Sequence, residues 1–266
     1  MRTGTSKIAL SAVRLALTGA MVLGAGSAWA DGPGSSACQD LPSHSALRSA
    51  LEGARNQANG GFNLDMWATA VNRDGVVCAV AFTGGDRGDQ WPGSRVISAQ
   101  KANTANAFSL PGLALSTANL YTAVQPGGSL FGLQESNPVS TGVAYGGNPS
   151  NYGRHNDPMV GGRIGGVNVF GGGLALYTAS GQLVGGLGVS GDSSCADHNI
   201  AWRTRHALGL DNVPAGVSGD AMRPDNIVYD ITPQAGQMPG VSAAGWGHPA
   251  CSAAATAIAA GLPQTN

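Results

Sequence analysis

The sequence predicts an α+β fold, a single domain with terminal extensions in which helices pack on an antiparallel sheet of two hairpins. Asp74-Gly75 separates two apolar runs, and an Asp-Gly turn accepts the positive φ angles that a tight hairpin requires. Ala179-Ser180-Gly181 separates a second pair of apolar runs. Because hairpins build antiparallel sheets and helical patterns lie between them, the order of elements favours helices packed on one face.

The remaining elements follow from apolar periodicity and from capping residues. Ser43 is a suitable N-cap for a first helix, in which Leu47, Leu51 and Ala54 form one stripe. An alanine-rich helix follows the first hairpin, and a helix that begins at Ser194 follows the second. The predicted helices are 44–58, 94–108, 115–124, 194–208 and 250–260, and the predicted strands are 66–73, 76–83, 172–178, 182–189 and a short 227–231.

The segment 125–168 is long, irregular and rich in glycine, asparagine and proline. A loop of this length inside a compact domain is usually functional or an insertion. The chain therefore divides into an N-terminal arm at 31–43, a central domain at 44–208 that contains this long insertion, and a C-terminal extension at 209–266.

The composition excludes several classes of protein. Charged residues make up 11% of the 266-residue chain and the formal net charge is −1, so the sequence has no basic footprint for a nucleic-acid partner. Apolar residues reach 42%, which is too many for a disordered chain. The 42 glycines do not recur at every third position, which excludes collagen.

The first thirty residues have the three parts of a secretory signal peptide. A positive start is followed by an uncharged apolar stretch at 15–26 and by Ala28-Trp29-Ala30, which fits the small-x-small cleavage rule. A membrane anchor is the alternative, but this stretch is too short, because a spanning helix needs about 20 residues. Cleavage before Asp31 would leave a periplasmic or secreted protein with no candidate membrane span.

Four cysteines follow the predicted cleavage site, and an even number in an exported chain suggests two disulfides. Buried free thiols are the alternative. Of the three possible pairings, the topology favours Cys38–Cys78 together with Cys195–Cys251. The first helix should run antiparallel to the strand after it, so that its start lies near the first hairpin turn, just before Cys78.

Two glycine-rich motifs invite functional interpretations that their context opposes. Residues 186–191 match G-x-G-x-x-G, but the dinucleotide fingerprint belongs to a parallel βαβ unit, and here the motif ends one strand of a hairpin. The G-x-S-x-G pattern of serine hydrolases fails because Asp192 replaces its last glycine, so Ser190 is interpreted as a turn or capping residue. Ser194 and Asp197 are spaced in a way that resembles a capping box.

Four short segments lie in an order that is typical of one known family. Residues 70–75 form a strand with an Asp-Gly turn, residues 101–108 read KANTANAF, residues 171–174 read GGGL and residues 185–191 read GGLGVSG. Together they resemble the first hairpin, the Lys-Ala-x-Thr-Ala-x-x-Phe helix, the Gly-Gly-x-Pro segment and the Gly-x-Ile-Gly-Val-Ser-Gly strand end of the GlcG/HbpS-like haem-binding family (DUF336). The resemblance covers residues 44–208, although the proline of the third segment is missing.

The resemblance implies a profilin-like or PAS-like α/β/α domain that assembles into homo-oligomers and binds haem, a small-molecule tetrapyrrole. It places the pocket between the Lys101 helix, the second hairpin and the long loop. The residues expected to bind the cofactor are Lys101, Thr104, Phe108, His155, Arg163 and His198, and the two histidines are the expected iron ligands.

The resemblance leaves three functional hypotheses. Haem storage, sensing or scavenging without turnover is the first, and no residue is assigned a catalytic role. A haem-dependent peroxidase or a haem-degrading enzyme at the same site is the second. A structural or partner-binding module without a small ligand is the third, because one fold hosts many functions.

Overall fold

The computed structural model describes Met1 and residues 37–266. The rest of the predicted signal peptide, its cleavage site and residues 31–36 of the predicted N-terminal arm therefore lie outside the described residues. Within the described part of the chain, no helix combines the length and the apolar character that crossing a membrane requires.

A four-stranded antiparallel sheet forms the centre of the described chain. Its strands are β1 (Trp67–Asn72), β2 (Val77–Phe82), β3 (Gly173–Tyr177) and β4 (Leu183–Ser190), and they lie in the order β2-β1-β4-β3. Both predicted hairpins are present. They join into one sheet because β1 and β4 pair antiparallel, with Trp67 opposite Ser190. The α+β fold with an antiparallel sheet of two hairpins is thus confirmed.

Helices cover both faces of this sheet. The helices are α1 (His44–Arg55), α2 (Ser94–Ala107), the single-turn α3 (Leu133–Ser136) and α4 (Thr141–Ala144), α5 (Ser194–Ala207) and α6 (Ala253–Ala260). The α1 and α5 helices pack on the face that carries Ala68 and Leu187, and α2 packs on the face that carries Val71. The order of elements alone favours one covered face. In the structure both faces are covered. Every residue of β1 and β4 is buried, so each side of these strands needs a layer of helices.

The middle of the chain is more regular than the sequence predicts. In place of one helix at 115–124, two 3₁₀ helices run over Thr117–Leu120 and Thr122–Val124. The long insertion contains α3, α4 and a further 3₁₀ helix at Pro149–Asn151. Short helical turns of this kind carry too little apolar periodicity to be recognised in a glycine-rich segment.

The cap of α5 differs from the prediction by one residue. The N-cap is Ser193 rather than Ser194, and its Oγ accepts a hydrogen bond from Ala196 N at 3.4 Å. No capping box forms with Asp197, because the Asp197 carboxylate pairs with a buried lysine.

The C-terminal extension contains a hairpin that the sequence analysis missed. Strands β5 (Ile231–Gln234) and β6 (Gln237–Ser242) form a separate two-stranded sheet. The predicted strand at 227–231 is displaced, since ladder pairing begins only at Ile231. Val228 forms a single parallel bridge with Gly247, and Ile227 is buried in the main core.

The extension is fastened to α5 by covalent and polar contacts. The disulfide Cys195–Cys251 joins the first turn of α5 to the extension, with a Cα–Cα distance of 5.9 Å. Farther along the helix, Trp202 Nε1 donates to Pro263 O at 2.9 Å. The second disulfide, Cys38–Cys78, ties the N-terminal arm to β2. These are the two pairs that the topology favours from the sequence.

Two glycines of β4 let α2 approach the sheet closely. A Cβ atom added to Gly188 would overlap Ser98 O, and one added to Gly186 would overlap Ala102 O. Both oxygens belong to the backbone of α2, which cannot rotate away as a flexible side chain can. The first two glycines of the G-x-G-x-x-G match therefore serve helix packing rather than the binding of a dinucleotide.

We expect Gly188→Ala to lower the free energy of unfolding by about 1–3 kcal/mol, because the added methyl group pushes α2 away from the sheet. Gly53→Ala is the matched control. Gly53 is exposed on α1 and an added Cβ would meet no atom within 4 Å, so alanine should stabilise the helix by about 0.5–1 kcal/mol. Urea denaturation of both variants measures the two changes, and a Gly188→Ala protein as stable as the wild type would contradict the close contact.

Candidate functional site

Lys101 is buried and paired with an acid. It projects from α2, and only 1% of its surface is exposed. Its Nζ donates to Asp197 Oδ2 on α5 at 2.7 Å and to Val189 O on β4 at 3.1 Å. A haem propionate could reach this ammonium group only by displacing Asp197.

Asp197 has an altered acidity in this position. Burial raises the pKa of its carboxyl to about 6, and the nearby Lys101 charge opposes this rise. The other carboxylate oxygen, Oδ1, accepts a hydrogen bond from Asp192 N at 2.9 Å. The pair therefore links α2, α5 and the end of β4, which is a structural role.

Thr104 and Phe108 anchor the end of the long insertion to α2. Thr104 Oγ1 donates to Gln100 O at 2.7 Å and accepts from Asn168 N at 3.0 Å. Phe108 is half-buried against a small apolar cluster that includes Val169. Both side chains are thus engaged by the protein's own chain.

His198 is fully buried on α5 and is covered by the C-terminal extension. Its Nε2 lies 3.1 Å from Asn226 Oδ1 and 3.1 Å from Ile227 N. Its Nδ1 has no hydrogen-bond partner among the described residues. Burial lowers the pKa of this imidazole to about 3, so the ring is neutral. Asn226 and Ile227 would have to move before an iron centre could reach Nε2.

His155 and Arg163 are exposed on the long insertion. Arg163 Nε donates to Asp74 O at the first hairpin turn, at 3.1 Å. Four cavities among the described residues have volumes of about 380, 330, 240 and 160 Å³, and none of the six predicted cofactor-binding residues lines any of these four. The structure therefore does not gather the predicted set around one of these cavities.

Two buried ion pairs were missed from the sequence. Arg205 on α5 makes a bidentate pair with Asp225 of the extension, with N–O distances of 2.6 and 2.8 Å. Arg95 on α2 makes a bidentate pair with Asp157 of the long insertion, one bond of which measures 2.9 Å. The sequence offers one signal for the Arg95 pair. Charged residues are rare in this chain, so an arginine inside the alanine-rich helix α2 suggests a buried partner. No group of three or more His, Cys, Asp or Glu within the described residues is arranged to hold a metal ion.

A cavity of about 240 Å³ lies at the amino end of α2. It is lined by Trp67, Arg87, Pro92, Gly93, Arg95, Val96, Tyr145 and Tyr152. The Arg95 guanidinium carbon lies 3.6 Å from the centre of the Tyr152 ring, so one wall is a stacked cation and aromatic ring. Trp67 packs on Phe82 with ring centres 5.2 Å apart, and its Nε1 is buried without a partner among the described residues.

The electrostatics of this cavity favour an anionic, planar ligand. Arg87 is exposed at its edge. The N-cap of α2 is Gly93, which offers no side chain to the N–H groups of the first turn, and of these Ser94 N already donates to Trp91 O at 2.9 Å. Free N–H groups at a helix start attract negative charge. No motif in the sequence marks this site, because its residues come from distant segments of the chain.

The chain is similar to several solved structures. A PduOC–haem complex shares 26% identity, covering 63% of this chain and 94% of that one, with a TM-score of 0.43. Protein ORFY of Klebsiella pneumoniae, a DUF336 protein, shares 22% identity, covering 63% of this chain and 90% of that one, with a TM-score of 0.42. HbpS shares 21% identity, covering 62% and 84%, with a TM-score of 0.39.

The chain has no match among curated proteins. Residues 43–205 match the profile of a family described as haem degrading protein HbpS-like. The match covers more than half of the chain and contains the four-stranded sheet, α1, α2 and most of α5. This protein therefore belongs to the HbpS-like family.

Proposed function

We propose that this protein is an exported haem-binding protein that stores, senses or scavenges haem without turning it over. The family match over residues 43–205 is the observation that carries the proposal. The matched part includes β1 and α2, which contribute Trp67, Arg95 and Val96 to the aromatic cavity, the one at the amino end of α2. Haem is the ligand that the family's description names.

The residues that line the cavity at the amino end of α2 fit the chemistry of haem better than the six residues expected from the resemblance do. Tyr145 is exposed and can offer an apolar face to a flat ring, while Trp67 is buried against Phe82 and Tyr152 is stacked with Arg95. Arg87 offers a guanidinium group to a propionate, while Lys101 is already paired with Asp197. Bound haem would supply the iron centre.

The candidate donor to the iron remains a histidine. His155 is exposed three residues beyond Tyr152 in the same loop and does not itself line the cavity. His198 is the weaker candidate because Asn226 and Ile227 enclose its ring. A neutral imidazole is a common axial ligand of haem iron.

The family resemblance implies a homo-oligomer, and a second subunit would extend a small cavity. Its volume of about 240 Å³ is below the usual range of ligand pockets, roughly 300–1,000 Å³. A haem bound here would keep one edge outside the cavity. A second subunit that covers this edge would complete the site, which is why an oligomer is part of the proposal.

Binding without turnover is the first candidate. General acid–base steps need a titratable group such as His, Asp, Glu or Tyr at the reacting atoms. Among the eight lining residues, only Tyr145 and Tyr152 are of these types. Asp157, which lies behind Arg95, accepts hydrogen bonds from Arg95 and from Met159 N (2.8 Å). Haem degradation is the second candidate, because the family's description names it.

Export is proposed from the predicted signal peptide and is supported by the two disulfides. Disulfides persist in oxidising compartments and are rare in the cytosol. Cys38–Cys78 and Cys195–Cys251 use all four cysteines of the chain.

A hemin titration of the purified protein tests the proposal. We expect a saturable Soret shift, and we expect Arg87→Ala to weaken hemin binding about five-fold, because one exposed charge-assisted hydrogen bond to a propionate is lost. Arg163→Ala is the matched control, since it removes an equal charge from the set expected from the resemblance and should leave the affinity unchanged. His155→Ala should move the Soret maximum if His155 binds the iron.

The outcomes separate the candidate functions. The absence of a Soret shift at stoichiometric hemin would contradict haem binding. A stable Soret band during exposure to peroxide or a reductant supports binding without turnover. Loss of the band together with release of iron would favour haem degradation. A larger effect of Arg163→Ala than of Arg87→Ala would move the site away from the α2 cavity.

A further inference from the structure

The C-terminal extension covers the side of α5 that does not face the sheet. A helix that packs on a core buries one stripe and leaves its opposite face to solvent. In α5, however, ten of the fourteen residues are buried, and these include the polar residues His198, Asn199 and Arg205. The cover lies outside the part of the chain that matches the family, 43–205. It is therefore a feature of this chain that the family match does not explain.

His198 is the histidine beneath this cover. Its Nε2 lies 3.1 Å from Asn226 Oδ1 and 3.1 Å from Ile227 N, and none of its surface is exposed. Asn226 is itself held from outside, because its Nδ2 donates to Ala259 O of α6 at 2.9 Å. Its carbonyl oxygen accepts from Asn119 Nδ2 at 3.0 Å. The residue that closes the imidazole thus depends in part on the position of α6.

A disulfide fixes the start of α6 to α5. Cys251 precedes the N-cap of α6, Ser252, and is bonded to Cys195 in the first turn of α5. Cys195 lies three residues before His198, and residues three apart in a helix are neighbours on its surface. The disulfide therefore joins the cover to α5 within one turn of the histidine that is covered.

The other polar contacts of α6 with the main domain are single hydrogen bonds between neutral groups. Ser252 Oγ donates to Gly60 O at 2.8 Å, and Asn199 Nδ2 donates to Ala255 O at 3.1 Å. The helix buries only two of its own side chains, Ala255 and Ala259. Such bonds contribute little in net terms, because water competes for the same groups. A crosslink between residues 56 positions apart restricts the opened chain much more strongly.

We propose that the Cys195–Cys251 disulfide is a redox latch that controls access to His198. In the oxidised protein, α6 holds Asn226 over the imidazole. In the reduced protein, the tail 249–266 opens and Nε2 becomes free to bind haem iron. The choice of haem iron as the ligand rests on the proposed function, whereas the opening of the tail does not.

Thiol–disulfide exchange with a dithiol reductant opens the latch. A thiolate of the reductant attacks the sulfur of Cys251, an exposed residue, whereas Cys195 is fully buried. The bond between the two cysteines breaks, and Cys195 leaves as a thiolate and takes up a proton. The second thiolate of the reductant then displaces Cys251 from the mixed disulfide. Two electrons and two protons pass to the protein, and the reductant becomes a disulfide.

Diethyl pyrocarbonate, which modifies accessible neutral imidazoles, is the probe, and peptide mass spectrometry measures the modification of His198. The protein is the Cys38→Ala/Cys78→Ala variant, in which dithiothreitol can reduce only Cys195–Cys251. His198 should be protected in the oxidised form, and reduction should raise its rate of modification about ten-fold or more. The Cys195→Ala/Cys251→Ala variant, which keeps the other disulfide, should react at the raised rate without any reductant.

Amide hydrogen exchange separates opening of the tail from unfolding. In the Cys195→Ala/Cys251→Ala protein, the amides of the tail should lose protection, while those of β1 and β4 should keep it. Equal protection of His198 in the oxidised, reduced and Cys195→Ala/Cys251→Ala proteins would overturn the proposal. Loss of protection across β1 and β4 would also overturn it, because the bond would then support the whole fold.

Hemin tests the ligand separately. It is added to the Cys195→Ala/Cys251→Ala protein without reductant, because thiolates themselves bind haem iron. His198→Ala should move the Soret maximum in this background and should leave it unchanged in the protein with both disulfides. An accessible His198 without any Soret shift would support the latch and contradict the proposed haem binding. A Soret shift with a protected His198 would support haem binding and overturn the latch.

Discussion

Replacing Lys101 by methionine should lower the free energy of unfolding by about 3–5 kcal/mol at neutral pH, because Asp197 would lose its counter-charge. Lys101 Nζ lies 2.7 Å from Asp197 Oδ2, and both side chains are almost fully buried. Methionine keeps the apolar stem of lysine, so the lost charge dominates the effect. The loss should shrink at pH 5, because a buried Asp197 without a cation neutralises itself by taking up a proton.

The double variant Lys101→Met with Asp197→Asn is the matched control. Asparagine keeps the oxygen that accepts from Asp192 N at 2.9 Å but carries no charge, so most of the lost stability should return. Urea denaturation of both proteins measures the difference. A Lys101→Met protein with unchanged stability and weakened hemin binding would instead support the propionate role that the family resemblance implies.

Acidification from pH 7.5 to pH 5 should destabilise the protein by about 3 kcal/mol. Burial lowers the pKa of His198 to about 3 and that of His248 to about 4. In the unfolded chain both imidazoles have a pKa near 6.5, so below that pH the unfolded state binds more protons. The two neutral rings stabilise the folded state above pH 6.5. This stabilisation is lost as the pH falls towards 4 for His248 and towards 3 for His198. The loss reaches about 4 kcal/mol in total at pH 5.

Asp197 acts in the opposite direction. Because burial raises its pKa to about 6, its native form gains a proton before its unfolded form does. This proton uptake raises the free energy of unfolding by about 1 kcal/mol between pH 6 and pH 5. The pKa of His198 also depends on nearby charges. Asp225 raises this pKa, while Arg205 and His248 lower it.

Urea denaturation at several pH values measures this loss, and His248→Gln is its matched variant. Glutamine keeps a polar amide at this position but does not titrate. The net loss of stability between pH 6.5 and 5 should fall to roughly a quarter, because the loss of about 1.6 kcal/mol through His198 is then nearly offset by the gain of about 1.2 kcal/mol through Asp197. A variant with the slope of the wild type would show that His248 is already able to take up its proton in the native state.

The hairpins and main helices could be predicted because the forces that specify them are local. The Asp74-Gly75 turn and the apolar stripe of α1 act between residues a few positions apart. The β1–β4 pairing could not be predicted, and the second covered face was implied only by the family resemblance, since both depend on contacts between distant segments. The β5–β6 hairpin lacks an alternating apolar pattern, so no periodic signal marks it.

The candidate site was harder to predict than the fold. Lys101 stands out in the sequence as the only lysine beyond the predicted signal peptide, but its partner Asp197 is 96 residues away. Nothing near Lys101 in the chain reveals that its charge is already used. The aromatic cavity is equally hidden, because Trp67, Arg87 and Tyr152 come from three segments without a shared motif.

The pattern of residues along the chain is therefore sufficient for the fold class, the family resemblance and the favoured cysteine pairs. Turns, amphipathic stripes and short motifs act over short separations, and the order of elements follows from them. Which polar groups remain free for a ligand is settled only by the folded chain. Desolvation and ion pairing depend on segments that meet in three dimensions, as the enclosure of His198 by Asn226 and Ile227 demonstrates.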